Sequence, residues 1–126
     1  MNNVIDSSAW LCYFAGDDNA DEFANAIENT DLLIIPSITV LEVFKCVYRQ
    51  RGEDLALMCI AHMEQGQVID LNSAIATEAA YLGATHKLPL ADSIIYATAK
   101  KYDAVVWTQD VDFEGLDSVQ YFAKPA

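Results

Sequence analysis

Short apolar runs separated by pairs of helix-like segments constrain this chain more than any other feature. Val4-Ile5, Leu32-Leu33-Ile34-Ile35 and Ala104-Val105-Val106-Trp107-Thr108 are too short for helices, and the second lacks polar alternation. Such runs predict strands, the second of them covered on both faces. Between them the pattern turns helical. Helices are expected over Ser8 to Ala15 and Ala20 to Glu28, with Gly16-Asp17-Asp18-Asn19 as the break. A second pair is expected from Ser37, well placed to cap, through Arg49, and from Glu53 to Gln65. Gly66 stops it, and Gln67 to Leu71 reads as a strand. A third pair runs from an Asn72 or Ser73 cap to His86, then from Ala91 to Lys101 after the breaker Leu88-Pro89-Leu90. A turn over Asp110 to Leu116 and a last strand over Val119 to Phe122 complete the series. Alternation of this kind predicts an α/β fold: a central, mainly parallel sheet of about five strands, with helices on both faces. At 126 residues, with no linker or repeat, 1–126 is expected to be a single domain.

Four acidic residues stand at the edges of these segments. Asp6 closes the first strand and Asp110 follows the fourth. Glu42 lies early in the helix after strand two, and Asp92 at the start of the helix leading into strand four. Ligands of open parallel sheets sit beyond the carboxyl ends of the strands, and all four positions return to that edge. Each has an ordinary explanation. Asp6 and Asp92 can cap helices, Asp110 can form a turn, and Glu42 can be an exposed helix residue, although Leu41 and Val43 beside it are apolar. Their convergence favours chemistry, because two unit charges about 4 Å apart repel by about 4 kcal/mol at a mid-range dielectric. A cation offsets that repulsion. Oxygen ligands without histidine or cysteine select Mg2+ or Mn2+. Such an ion polarises a phosphodiester, acidifies the attacking water and stabilises the leaving oxygen. No glycine-rich phosphate loop or serine–histidine or cysteine–histidine pair offers another route.

Composition bounds the alternatives. The net charge of −12, from 19 acidic and 7 basic residues, argues against a general nucleic-acid-binding face and suits a basic protein partner. An apolar content of 53% is high for so small a chain and predicts an oligomer or partner interface. Cys12, Cys46 and Cys59 are odd in number and form no paired motif, so reduced thiols in the cytoplasm are expected. No stretch reaches the about 18 uncharged apolar residues of a membrane span, and the start does not resemble a secretory signal. His62 and His86 lie in helices away from the acids, in structural roles.

Four pieces, in order, carry a family resemblance: Val4-Ile5-Asp6-Ser7-Ser8, Pro36-Ser37-Ile38-Thr39-Val40-Leu41-Glu42-Val43, Leu88-Pro89-Leu90-Ala91-Asp92-Ser93-Ile94-Ile95-Tyr96-Ala97-Thr98-Ala99 and Val106-Trp107-Thr108-Gln109-Asp110-Val111-Asp112-Phe113. Together they resemble PIN-domain ribonucleases and, at this length, the VapC-like toxins of toxin–antitoxin pairs. The resemblance implies a PIN-like three-layer α/β/α sandwich and an Mg2+- or Mn2+-dependent endoribonuclease. It implies Asp6, Glu42, Asp92 and Asp110 as metal-holding catalytic residues. Asp112 would complete a second metal position or else cap the turn at Phe113. Ser7 and Thr108 are implied in support, with Thr108 orienting carboxylates. A cognate antitoxin, an RNA substrate and a homodimer are implied as partners. Gln109 departs from the pattern, which is often basic there. Lys45 and Arg49, on one helix face after Glu42, are the first candidates for contacting RNA, followed by Arg51 and Lys87. Two other readings remain: an acidic Mg2+-binding signalling module of receiver type, and a catalytically inactive PIN scaffold. The first needs adjacent acids after strand one, where this chain has Asp6-Ser7-Ser8, and the second is disfavoured by acids at all four positions.

Overall fold

The computed structural model describes residues 1–126. Its elements follow the expected order. Strand β1 (Asn2–Ile5) leads to helices α1 (Ser7–Ala15) and α2 (Ala20–Glu28). Strand β2 (Leu33–Pro36) leads to α3 (Ser37–Arg51) and α4 (Glu53–Met63). Strand β3 (Gln67–Ile69) leads to α5 (Ser73–His86) and α6 (Leu90–Lys101). Strand β4 (Ala104–Thr108), a 3-10 turn at Val111–Phe113 and β5 (Val119–Tyr121) finish the chain. The five strands form one fully parallel sheet in the order β3-β2-β1-β4-β5.

Alternation along the buried strands divides the core into two layers. Ile5, Leu33 and Ile35 join Trp10, Phe23, Ile27, Val43 and Met63 on the face covered by α1 to α4. Val4, Ile34 and Val106 join Ile95, Tyr96 and Phe113 on the other face, beneath α6. The result is a three-layer α/β/α sandwich. Burial on both faces explains why β2 shows no polar alternation.

Local expectations shift at several caps. Asp92 is not an N-cap: Pro89 holds that position, and Asp92 is the third residue of α6. Proline lacks the N–H that a preceding turn would leave unpaired, so Leu88-Pro89-Leu90 starts α6 rather than merely ending α5. Ser37 likewise sits inside α3, whose N-cap is Pro36. Asp112 does not cap the turn at Phe113; Asp110 does, accepting from the Asp112 N–H at 2.9 Å. Gly66 serves β2 as well as the end of α4, since a Cβ there would lie 2.7 Å from the Leu33 carbonyl oxygen. Strand β3 is shorter than predicted and lies at the sheet edge.

Candidate metal centre

Parallel pairing of β1 with β4 places Ile5 beside Trp107, so the residues that follow meet at the carboxyl edge of the sheet. The Asp6 N–H donates to the Trp107 carbonyl at 3.1 Å. Thr108, fully buried, joins the two segments through one hydroxyl. It donates to Asp6 Oδ2 and accepts the Asp110 N–H, both at 2.8 Å. The other Asp6 oxygen accepts from the Ala9 N–H at 2.9 Å and from Ser8 Oγ at 2.8 Å. Asp6 therefore caps α1 and also presents a carboxylate at the sheet edge; the two readings are compatible. It is only 2% exposed. Burial pushes its pKa up to about 6, outweighing the hydrogen bonds from Ala9, Thr108 and Ser8 that favour the anion.

Asp92 reaches the same edge from the first turn of α6. With Asp110 and Asp112 it forms a group in which one carboxylate oxygen from each residue lies within 4.8 Å of the others. Burial pushes the Asp92 pKa up to about 8, and the neighbouring charges of Asp110, Asp6 and Asp112 add to it. Without a cation, burial and its acidic neighbours hold Asp92 toward its neutral form. Three carboxylates without nitrogen or sulfur donors suit a small hard divalent ion, and its positive charge would replace the proton that Asp92 favours.

Asp6 lies outside that 4.8 Å group, and so does Glu42. Glu42 projects half-buried from α3 and accepts a 2.6 Å hydrogen bond from Ser7 Oγ, which ties it to the residue after Asp6. Lys45 and Arg49 are exposed on the same helix and line a groove that includes Glu42. Arg51 lies one groove further, while Lys87 forms the left-handed cap of α5. His62 packs among Trp10, Tyr13 and Phe14, and His86 against Tyr96.

Sequence reasoning missed Ser8. Its hydroxyl donates to Asp6 Oδ1 and receives the Gln109 N–H at 3.3 Å, a second bridge between β1 and β4 beside Thr108. The signal was the Asp-x-Ser spacing: a short side chain two residues after an aspartate folds back onto its carboxylate. Replacing Thr108 with the isosteric Val deletes one donor to Asp6 and one acceptor for Asp110. We expect metal affinity to fall by about 10- to 100-fold, as when groups orienting a ligand are removed. The cost in stability is expected to be about 1–3 kcal/mol. Calorimetric metal titration and a thermal melt measure both; unchanged affinity would show that Thr108 is only a packing residue.

A family model described as the PIN domain matches residues 4–119. Among solved structures, a toxin–antitoxin complex from Klebsiella pneumoniae superposes with a TM-score of 0.80 at 25% identity, covering 98% of this chain and 100% of that one. A DNA-bound VapBC from Salmonella typhimurium superposes at 0.74 with 18% identity, covering 98% of each chain. VapC20 of Mycobacterium tuberculosis, described as a sarcin-ricin loop cleaving toxin, superposes at 0.76 with 18% identity, covering 94% and 99%. No curated protein matches the sequence at a significant level.

Proposed function

The chain belongs to the PIN domain family, and from that premise we propose that it is a metal-dependent endoribonuclease acting as the toxin of a toxin–antitoxin pair. The observation that carries this reading is the convergence of Asp92, Asp110 and Asp112 within 4.8 Å, beside a buried Asp6. The toxin assignment is supported by the Klebsiella pneumoniae toxin–antitoxin complex, and by the Mycobacterium tuberculosis toxin on the same fold that is described as cleaving the sarcin-ricin loop.

Asp92, Asp110 and Asp112 would hold Mg2+ or Mn2+, with Asp6 and Glu42 completing the acidic lining. A cation there supplies Lewis-acid polarisation of the phosphodiester and a more acidic attacking water. The rest falls to the chain. Thr108 and Ser8 fix both oxygens of Asp6, so that carboxylate cannot rotate away from the edge. Ser7 fixes Glu42, leaving its second oxygen free to orient water. Asp92, held toward its neutral form by burial, would have to release its proton to serve as a ligand. Lys45 and Arg49 draw RNA phosphates toward the Glu42 side.

An antitoxin would restrain the nuclease, and the acidic surface suits a basic inhibitory segment. Leu41, Tyr48, Leu57 and Met58 expose large apolar side chains on α3 and α4, in keeping with a homodimer or an antitoxin contact. No helix is long and apolar enough to cross a membrane. We take the cytoplasm, where RNA is available, as the place of action.

The test is incubation of the purified chain with total cellular RNA, with end mapping. New ends are expected with Mg2+ or Mn2+ and none with a chelator; intact RNA under every divalent metal would overturn the reading.

A further inference from the structure

The seven cations of this acidic chain are unevenly placed. Lys45 and Arg49 border the groove that starts at Glu42. That groove shares Cys46 and Gln50 with a cavity between α1, α3 and α4, to which Arg51 contributes. The cavity in turn shares Ser8, Gln109 and Lys124 with a hollow that ends on Asp110. Their volumes are about 520, 470 and 400 Å3, and the shared residues set them side by side, a trough in three parts from Glu42 to Asp110. Four cations border it: Lys45, Arg49, Arg51 and Lys124. None of the four is ion-paired, for the structure's one salt bridge joins Lys100 to Asp117 at 3.8 Å.

The Asp110 end of the trough is built by a clasp on the C-terminal segment. Asn19 occupies the N-cap position of α2, yet its side chain makes no capping bond. Its amide instead donates to the carbonyl oxygens of Phe122, at 3.4 Å, and Ala123, at 3.0 Å, and to Gln109 Oε1 at 3.1 Å. The Phe122 N–H donates to the Thr108 carbonyl at 2.9 Å. The residue just before Lys124 is thus tied to the strand end that carries the acids. Without that ammonium, the neighbourhood offers an incoming strand the repelling charges of Asp17, Asp18 and Asp110.

The geometry points to Lys124 as a substrate-binding residue: held by the Asn19 clasp, it takes a backbone phosphate of the RNA strand beside Asp110, with the trough as the path of that strand. The inference rests on the ribonuclease reading and adds a second cationic flank, opposite in chain order to Lys45 and Arg49. Phosphate contact of this kind fixes register and carries no sequence information.

The experiment is an anisotropy titration of a labelled single-stranded RNA oligonucleotide, in an Asp92→Asn background so that the probe stays whole. Adding Lys124→Gln is expected to weaken binding by about tenfold at low salt and to reduce the salt slope by about 0.7. Lys124→Arg is expected to retain both, and Asn19→Ala to fall between. In the otherwise native chain, Lys124→Gln is expected to raise KM with kcat unchanged. Equal affinity and salt slope with and without Lys124, while the native chain cleaves RNA, would overturn this inference alone. Absence of cleavage by the native chain would overturn the ribonuclease reading beneath it.

Discussion

Replacing Asp92 with Asn is expected to lower metal-dependent RNA cleavage by about a thousandfold or more while stabilising the metal-free fold at alkaline pH. The first effect follows from removing one of three converging ligands. A bound cation contributes several kcal/mol of transition-state stabilisation, and about 4 kcal/mol corresponds to three orders of magnitude in rate. The second follows from the same carboxylates without their cation. Burial and the charges of Asp110, Asp6 and Asp112 push Asp92 up to about 8, so ionising it in the folded chain is unfavourable. Asparagine keeps the shape and removes the charge. At about pH 9 the variant is expected to melt above the parent, and at about pH 3.5, below the ordinary carboxylate pKa, where Asp92 is largely protonated in both the folded and the unfolded chain, the two should nearly coincide. A residue serving the fold alone would behave in the opposite way, with activity near the parent's and a lower melting temperature at both pH values.

Divalent metal is expected to raise the melting temperature, and the rise should grow with pH. Asp6 and Asp92 both bind protons more tightly in the folded chain than in the unfolded one. From the ordinary carboxylate range up to about 6 for Asp6 and about 8 for Asp92, the folded state holds the extra protons. Stability of the metal-free protein therefore falls as pH rises through that window and levels off above it. For the buried Asp6, holding the anion costs roughly 3 kcal/mol. A cation binds the ionised carboxylates and must displace protons at low pH, so its affinity rises across the same window. At about a hundred times the dissociation constant, the gain is about 2.7 kcal/mol, or roughly 10 °C for a domain of this size. Differential scanning fluorimetry with Mg2+ or Mn2+ at about pH 5 and about pH 9 reads this directly. A shift of the same size at both pH values would mean that metal binds elsewhere.

The architecture was legible because it rests on coarse signals. Val4-Ile5 and Leu33-Ile34-Ile35 are apolar on both faces, and each precedes a helix pair, which leaves few alternatives to a parallel sheet. The acids were legible as residues at strand and helix ends, but their grouping was not. Asp6 and Glu42 were expected among the four principal ligands and Asp112 as an addition; the structure gathers Asp112 with Asp92 and Asp110, leaves Asp6 beside that group and links Glu42 through Ser7. The difference arises from the 3-10 turn capped by Asp110, which folds Asp112 back toward its neighbour, a matter of one hydrogen bond. The Asp92 cap was misread because Pro89 competes for the same position, and only backbone geometry decides between them. Ser8 with Gln109, and Asn19 with the carbonyls of Phe122 and Ala123, join residues about a hundred positions apart. No local pattern carries such contacts.

Paramagnetic broadening of backbone amide signals during Mn2+ titration tests most directly whether these carboxylates hold one cation. At substoichiometric metal, the signals expected to vanish first are those around Asp6, Asp92, Asp110 and Asp112, with the Asp92→Asn variant losing that pattern. Broadening that begins instead at Asp17-Asp18 or Glu53-Asp54, or that spreads evenly over the acidic surface, would contradict the account.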